Sequence, residues 1–160
     1  MHYHIYELFE APQSADEWAT PYDFNEHPDA FPIADRVGEA DDRAAAITCF
    51  GAWLEERRLG SLEGESFTID PKAAERHFKG RYDAFQKAVS ALQVLNETQF
   101  IHDHDWVQAL IDKLGEAFTQ RHGDYVLWGC DLTPTPLEEF LRKAKYGTRY
   151  YIGAVLKYTY

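Results

Sequence analysis

The sequence predicts an α+β fold in a single domain over residues 1–160. About four strands are expected, with the N- and C-terminal strands in one mainly antiparallel sheet, and four to five helices. Three observations carry this. Both ends of the chain alternate as strands, HYHIYELF over residues 2–9 and RYYIGAVLKYTY over 149–160. The long helical patterns run consecutively through the middle instead of alternating with strands, which argues against a doubly wound sheet. The aromatic complement, 10 Phe, 10 Tyr and 4 Trp in 160 residues, suffices for a packed core.

The first strand places Tyr3, Ile5 and Phe9 on one face. Residues 10–40 then carry Pro12, Pro21, Pro28 and Pro32, too many interruptions for a long element. Ser14 and Glu17 stand at capping-box spacing and predict a short helical turn. Connections this long are usually functional or mobile.

Asp41 or Asp42 opens a helix, DDRAAAITCFGAWLEERRLG, with Ile47, Phe50 and Leu54 on one face, Cys49 and Trp53 flanking it, and Gly60 at its end. GSLEGES reads as a connecting turn, since it lacks the lysine and the helix of a phosphate loop. ESFTID is a strand. Asp70 as cap and Pro71 at the first helical position start KAAERHFKG. A second helix, RYDAFQKAVSALQVL, aligns Phe85, Val89 and Leu92. A third, Asp105 to Gln120, turns Trp106 or Val107, Leu110, Ile111, Leu114 and Phe118 inward. DYVLWG is a strand, and Thr135 with Glu138 frames a capping box, with Pro136 at the first helical position and Gly147 closing the helix.

Charge is distributed very unevenly. Residues 1–42 hold eleven acids against one base, Arg36, a net charge of −10, whereas residues 140–160 hold five bases and no acid. The whole chain carries −11. No apolar run approaches the ~18 residues of a membrane span, and MHYHIYELFE lacks the basic start and apolar stretch of a secretory signal. Cys49 and Cys130 form no CxxC spacing and no disulfide framework, so a reducing cytoplasm is the expected setting.

The run His102-Asp103-His104-Asp105 raises a metal site as one reading. On a strand the two histidines would project from one face, but on a helix residues two apart do not. His122 and Asp124 lie beyond the far end of the third helix, about 22 Å away at 1.5 Å per residue, so any further ligand must come from elsewhere. The His-Asp dipeptide resembles the HD-type phosphohydrolases, whose other separated ligands have no matching places here. The simpler reading is a helix start, with Asp105 as N-cap, Gln108 at N3 and Asp103 beside the positive helix end. No metal, cofactor or catalytic residue is therefore assigned.

Cys130, after a strand, is the more plausible reactive thiol, while Cys49 reads as a small hydrophobe. Glu138 and Glu139, with Arg142 and Lys143 four residues on, form an ordinary solvated helix face. The C-terminal RKAKYGTRYYIGAVLKYTY interleaves cations and aromatics as single-strand binders do. The overall acidity opposes direct nucleic-acid binding, and a strand whose lysines meet the acidic segment explains the same residues.

The acidic segment 10–42 interleaves Trp18, Tyr22, Phe24 and Phe31 with Asp16, Glu17, Asp23, Glu26 and Asp29. Aromatic anchors ringed by carboxylates suit docking on a protein with a basic surface. The leading expectation is thus a small cytoplasmic binding protein, an inhibitor or accessory factor for a nuclease or another nucleic-acid-handling protein, with Asp16, Glu17, Trp18, Tyr22, Asp23, Phe24, Glu26 and Asp29 as its contact. In size and charge the chain resembles antirestriction, anti-CRISPR and toxin-immunity proteins, a likeness of class carried by no motif. The alternatives are a metal-dependent or thiol enzyme using His102 and His104 or Cys130, and single-strand binding through an exposed face of Arg149, Tyr151 and Lys157.

Overall fold

In the computed structural model the described residues are 3–26, 29, 31–32, 34–119, 123–129 and 131–159. The fold is α+β, as the sequence predicts. The chain divides into two units, residues 1–74 with 122–160, and residues 75–121.

The first unit holds one sheet of β1 (Tyr3–Phe9), β2 (Arg36–Glu39), β3 (Gly60–Glu63), β4 (Ser66–Ile69), β5 (Tyr125–Trp128), β6 (Asp131–Pro136) and β7 (Arg149–Thr159). The order is β3-β4-β7-β1-β5-β6. β7 takes β4 along residues 149–151 and β2 along 156–159 on one side, and β1 on the other. Its two faces both face protein, which is why YYIGAVL is nearly continuous in apolar residues. All pairings are antiparallel except β1 with β5.

Three of the strands were not expected. β2 (RVGE) and β3 (GSLE) each hold a single large apolar residue, Val37 and Leu62, too few for alternation to be read. β6 contains Pro134 and Pro136, which lack a ladder donor and are tolerated because the strand lies at the sheet edge. GSLEGES is the β3–β4 hairpin, with Gly64 at φ 61 leading its two-residue loop.

One face is covered by α2 (Arg43–Glu56) and α6 (Leu137–Lys143), which pack Ile47, Phe50, Leu54, Phe140 and Leu141 against Tyr6, Leu8, Phe67, Tyr150 and Val155. Asp42 caps α2 by accepting the Ala45 N–H at 2.9 Å. The helix ends before Gly60. Arg58 turns left-handed at φ 55, and the Leu59 N–H closes on the Leu54 carbonyl at 2.8 Å. Gly60 belongs to β3. For α6, Pro136 sits at the N-cap with no side-chain cap bond, the helix stops at Ala144, and Gly147, at φ 80, turns the chain into β7.

The other face is covered by the acidic segment. A 3-10 turn at Ala15–Glu17 and a short helix α1 (Pro21–Asn25) lay Phe24 and Phe31, with Trp18 packed beside them, against Ile5, Val37, Leu127, Leu156 and Tyr158. Asp23 fastens α1 by accepting the Thr20 N–H at 2.7 Å. Ser14 donates to Asp16 and does not cap the 3-10 turn with its side chain.

The second unit comprises most of α3 (Ala73–Gln93), with α4 (Glu97–His102) and α5 (His104–Glu116). The two helices expected over residues 71–95 are one. Gly80 sits inside it, a placement that costs only about 1 kcal/mol, and Pro71-Lys72 forms a turn with Lys72 at φ 60 ahead of it. Asn96 and Gln99 form a reciprocal capping box that opens α4. Ala88, Val107 and Leu110 are buried, but Ile111 and Phe118, expected inward, are exposed. Among the described residues no helix is long and apolar enough to cross a bilayer.

Candidate functional site

The His-Asp run lies at the junction of α4 and α5. His102 ends one helix and His104 begins the next, with Asp103 between them. Asp105 is therefore not the N-cap. Asp103 holds that position without a side-chain bond, because its φ of −108° and ψ of 43° depart from the extended geometry that aims a cap. Gln108 donates to Asp112 at 2.9 Å instead of reaching back. His104 Nδ1 stands 3.8 Å from Asp105 Oδ1, with both side chains in water. Among the described residues no three His, Cys, Asp or Glu side chains are grouped to hold a metal ion. His2, His27, His122 and Cys130 lie outside the described residues, and Cys49 is exposed and free.

A second titratable pair, His4 and Asp124, joins β1 to the start of β5. The His4 backbone N–H donates to Asp124 Oδ1 at 2.8 Å, and burial pushes the Asp124 carboxyl above the usual range. Beside it the Tyr6 phenol donates to the Ala46 carbonyl at 3.3 Å, and burial raises it too. Each group already serves the packing of the first unit.

The most elaborate polar arrangement surrounds Glu7, a carboxylate only 2 % exposed. β1 and β7 lose register between Tyr6↔Val155 and Leu8↔Ile152, so Glu7 alone faces Gly153 and Ala154, the two-against-one count of a bulge. A bulge leaves ladder groups without partners, and buried ones must be satisfied. Glu7 Oε2 accepts the N–H of Ala154 at 3.1 Å and of Ala19 at 3.0 Å. Arg43 donates to the carbonyls of Gly153 at 2.9 Å and Ile152 at 2.8 Å, between the stretches of β7 that β4 and β2 occupy. The same guanidinium lies 4.5 Å over the Trp18 ring and pairs with Glu65, whose carboxyl it holds below the usual range. Gly153 leaves room for this arrangement, since a Cβ would stand 2.5 Å from the Phe9 ring and 2.9 Å from Glu7, and these side chains would have to shift. Glu7 and Arg43 thus tie the acidic segment to the bulge.

That tie sorts the eight proposed contact residues. Phe24 is buried, Trp18 is packed beneath Arg43, and Asp23 caps α1, so these three anchor the segment. Asp16, Glu17, Glu26 and Asp29 are exposed, and Tyr22 is 67 % exposed. Glu17, Glu26 and Asp29, together with Asp35 and Glu39, are exposed and pair with no base among the described residues. Asp41 pairs with Lys157, and Asp42 caps α2.

The cations of β7 are already engaged. Arg149 pairs with Glu63 at 2.7 Å and Lys157 with Asp41, and the strand between them is buried between α2 and α6 on one face and the acidic segment on the other. Arg149, Tyr151 and Lys157 do not form a continuous open face for single-strand binding.

A feature the sequence reading missed lies at the carboxyl ends of the parallel strands β1 and β5. Glu10, Val126, Trp128, Thr135, Phe140, Lys143, Ala144, Lys145 and Tyr150 line a hollow of about 340 Å³. Trp128 and Tyr150 have ring centroids 5.7 Å apart, and Phe140 and Tyr150 5.2 Å. These residues come from β5, β6, α6, β7 and the chain just after β1 and α6, so no local pattern announces them. No protein-family model, curated protein or solved structure matches this chain.

Proposed function

We propose that this chain works by binding in the cytoplasm, as an acidic inhibitor or accessory factor that docks on the basic surface of a nucleic-acid-handling protein. One observation carries the reading. The segment covering the second sheet face buries Phe24 and Phe31 yet leaves Glu17, Glu26, Asp29, Asp35 and Glu39 in water, with no base beside them among the described residues. A segment held by its aromatics presents these carboxylates from an ordered layer, which lowers the ordering cost of association. Carboxylates so presented attract the lysines and arginines that a nuclease uses to grip phosphates, and steer its approach. Asp16 and Tyr22 extend the same surface.

A cleavage assay across a panel of DNA nucleases tests this. The chain is expected to inhibit at least one member, and the inhibition to weaken about tenfold or more as salt rises from about 0.05 to about 0.5 M. Neutralising all five, as Glu17→Gln, Glu26→Gln, Asp29→Asn, Asp35→Asn and Glu39→Gln, should abolish it while the protein stays folded. Inhibition that survives neutralisation, or a panel left wholly unaffected at low salt, contradicts the reading.

A further inference from the structure

We propose that the hollow at the carboxyl ends of β1 and β5 binds a small aromatic molecule that carries both an N–H donor and an anionic group. It stands apart from the docking surface above and uses none of the five carboxylates assigned there. In open α/β sheets, ligands enter the crevice outside the carboxyl ends of the parallel strands, and by analogy the same end of a lone parallel pair is the place to look. β1 and β5 are the parallel pair here, Glu10 directly follows β1, and Trp128 is the last residue of β5. Its volume of about 340 Å³ falls at the small end of ligand pockets, which combine apolar walls with a few placed polar groups.

The wall chemistry sets the ligand class. Trp128, Phe140 and Tyr150 line the hollow; Phe140 and Tyr150 are buried behind it, and Trp128 stays 44 % exposed despite these two ring neighbours. A flat aromatic ligand stacking there would cover it. The wall is braced, because the Tyr150 hydroxyl accepts the Lys145 backbone N–H at 2.8 Å.

Two opposite charges complete the lining. Lys143 is held by Glu139 at 2.9 Å. The Glu10 carboxylate and the Lys145 ammonium pair with no described residue, and not with each other, although both border the same space. A carboxylate accepts from an N–H, and an ammonium donates to a carboxylate or phosphate. Both an aromatic α-amino acid and an aminopurine nucleoside monophosphate offer this combination.

Calorimetric titration of the full chain with L-tryptophan and with adenosine monophosphate tests the site, with indole, glycine and inorganic phosphate as ring-only and charge-only controls. At least one of the two ligands should bind about tenfold more tightly than every control, and the tighter of the two identifies the source. Lys145→Met and Glu10→Gln, both at exposed side chains, should each weaken it about fivefold or more with melting temperatures unchanged. Trp128→Leu should weaken it further. The proposal is overturned if neither ligand binds at millimolar concentration, if indole binds as tightly as both, or if the Lys145 and Glu10 variants bind like the wild type.

Discussion

In the sheet unit Phe24, Phe31, Phe50, Phe67 and Phe140 are all buried, whereas in the helical unit Phe100 is 63 % and Phe118 77 % exposed. The difference follows from what each unit can cover. The sheet offers two faces, and chain distant in sequence lies on both, α2 and α6 on one and the acidic segment on the other. The helical unit has a six-residue α4, and among its described residues only Ala88, Val107 and Leu110 are buried. Amphipathic periodicity identifies a helix, but it does not guarantee that the stripe is covered.

The largest expected effect separates the units directly. Phe67→Ala, removing a ring packed on Phe50, Phe140 and Tyr150, should cost about 3–5 kcal/mol in urea denaturation. Glu7→Ala leaves two N–H groups without their acceptor and should cost about 2–4 kcal/mol. Glu7→Gln keeps an acceptor, and there the informative quantity is pH dependence. Burial raises the folded Glu7 carboxyl above its ordinary value of 4.5, against the opposing pull of its two N–H donors. The folded chain thus binds this proton more tightly than the unfolded one. The Glu7 contribution to stability should rise as pH falls from 7 through the folded pKa towards 4.5. Wild type should gain melting temperature on Glu7→Gln over that range, and a constant gap contradicts the burial effect.

Gly153→Ala crowds Phe9, Glu7 and Trp18 and should cost about 1–3 kcal/mol, read as a lowered melting temperature with altered Trp18 fluorescence. Asp42→Ala removes the α2 cap and should cost about 1 kcal/mol in the same measurement. At the bottom of the scale, Phe118→Ala, which meets the Phe85 ring edge-on, should fall within about 0.5 kcal/mol of wild type. A loss as large as that of Phe67→Ala would erase the contrast between the units.

Both terminal strands, α2 and the α+β class were legible because their patterns are long and local. β2, β3 and β6 were not, the first two carrying a single large apolar residue each and the third interrupted by proline. Glu7 was not legible as a buried charge, because its burial depends on a bulge formed with a strand almost 150 residues away. The aromatic hollow draws on four elements and the segments after β1 and α6, and left no spacing to read. Phe24 and Trp18 were read as contacts and serve as anchors, since sequence shows that aromatics interleave with acids but not which of them turns inward.

The central claim is that the acidic segment is an ordered layer of the sheet unit, pinned from beneath and charged on its outside. Amide hydrogen exchange of the free wild-type chain, resolved by residue, tests it most directly. The amides of Ala19, Asp35 and Ala40, bonded to Glu7, the Thr159 carbonyl and the Val155 carbonyl, should be protected to a degree comparable with β1, and Glu7→Gln should largely preserve the Ala19 signal. Exchange at the rate of an unstructured chain across residues 18–40, with β1 still protected, would contradict it.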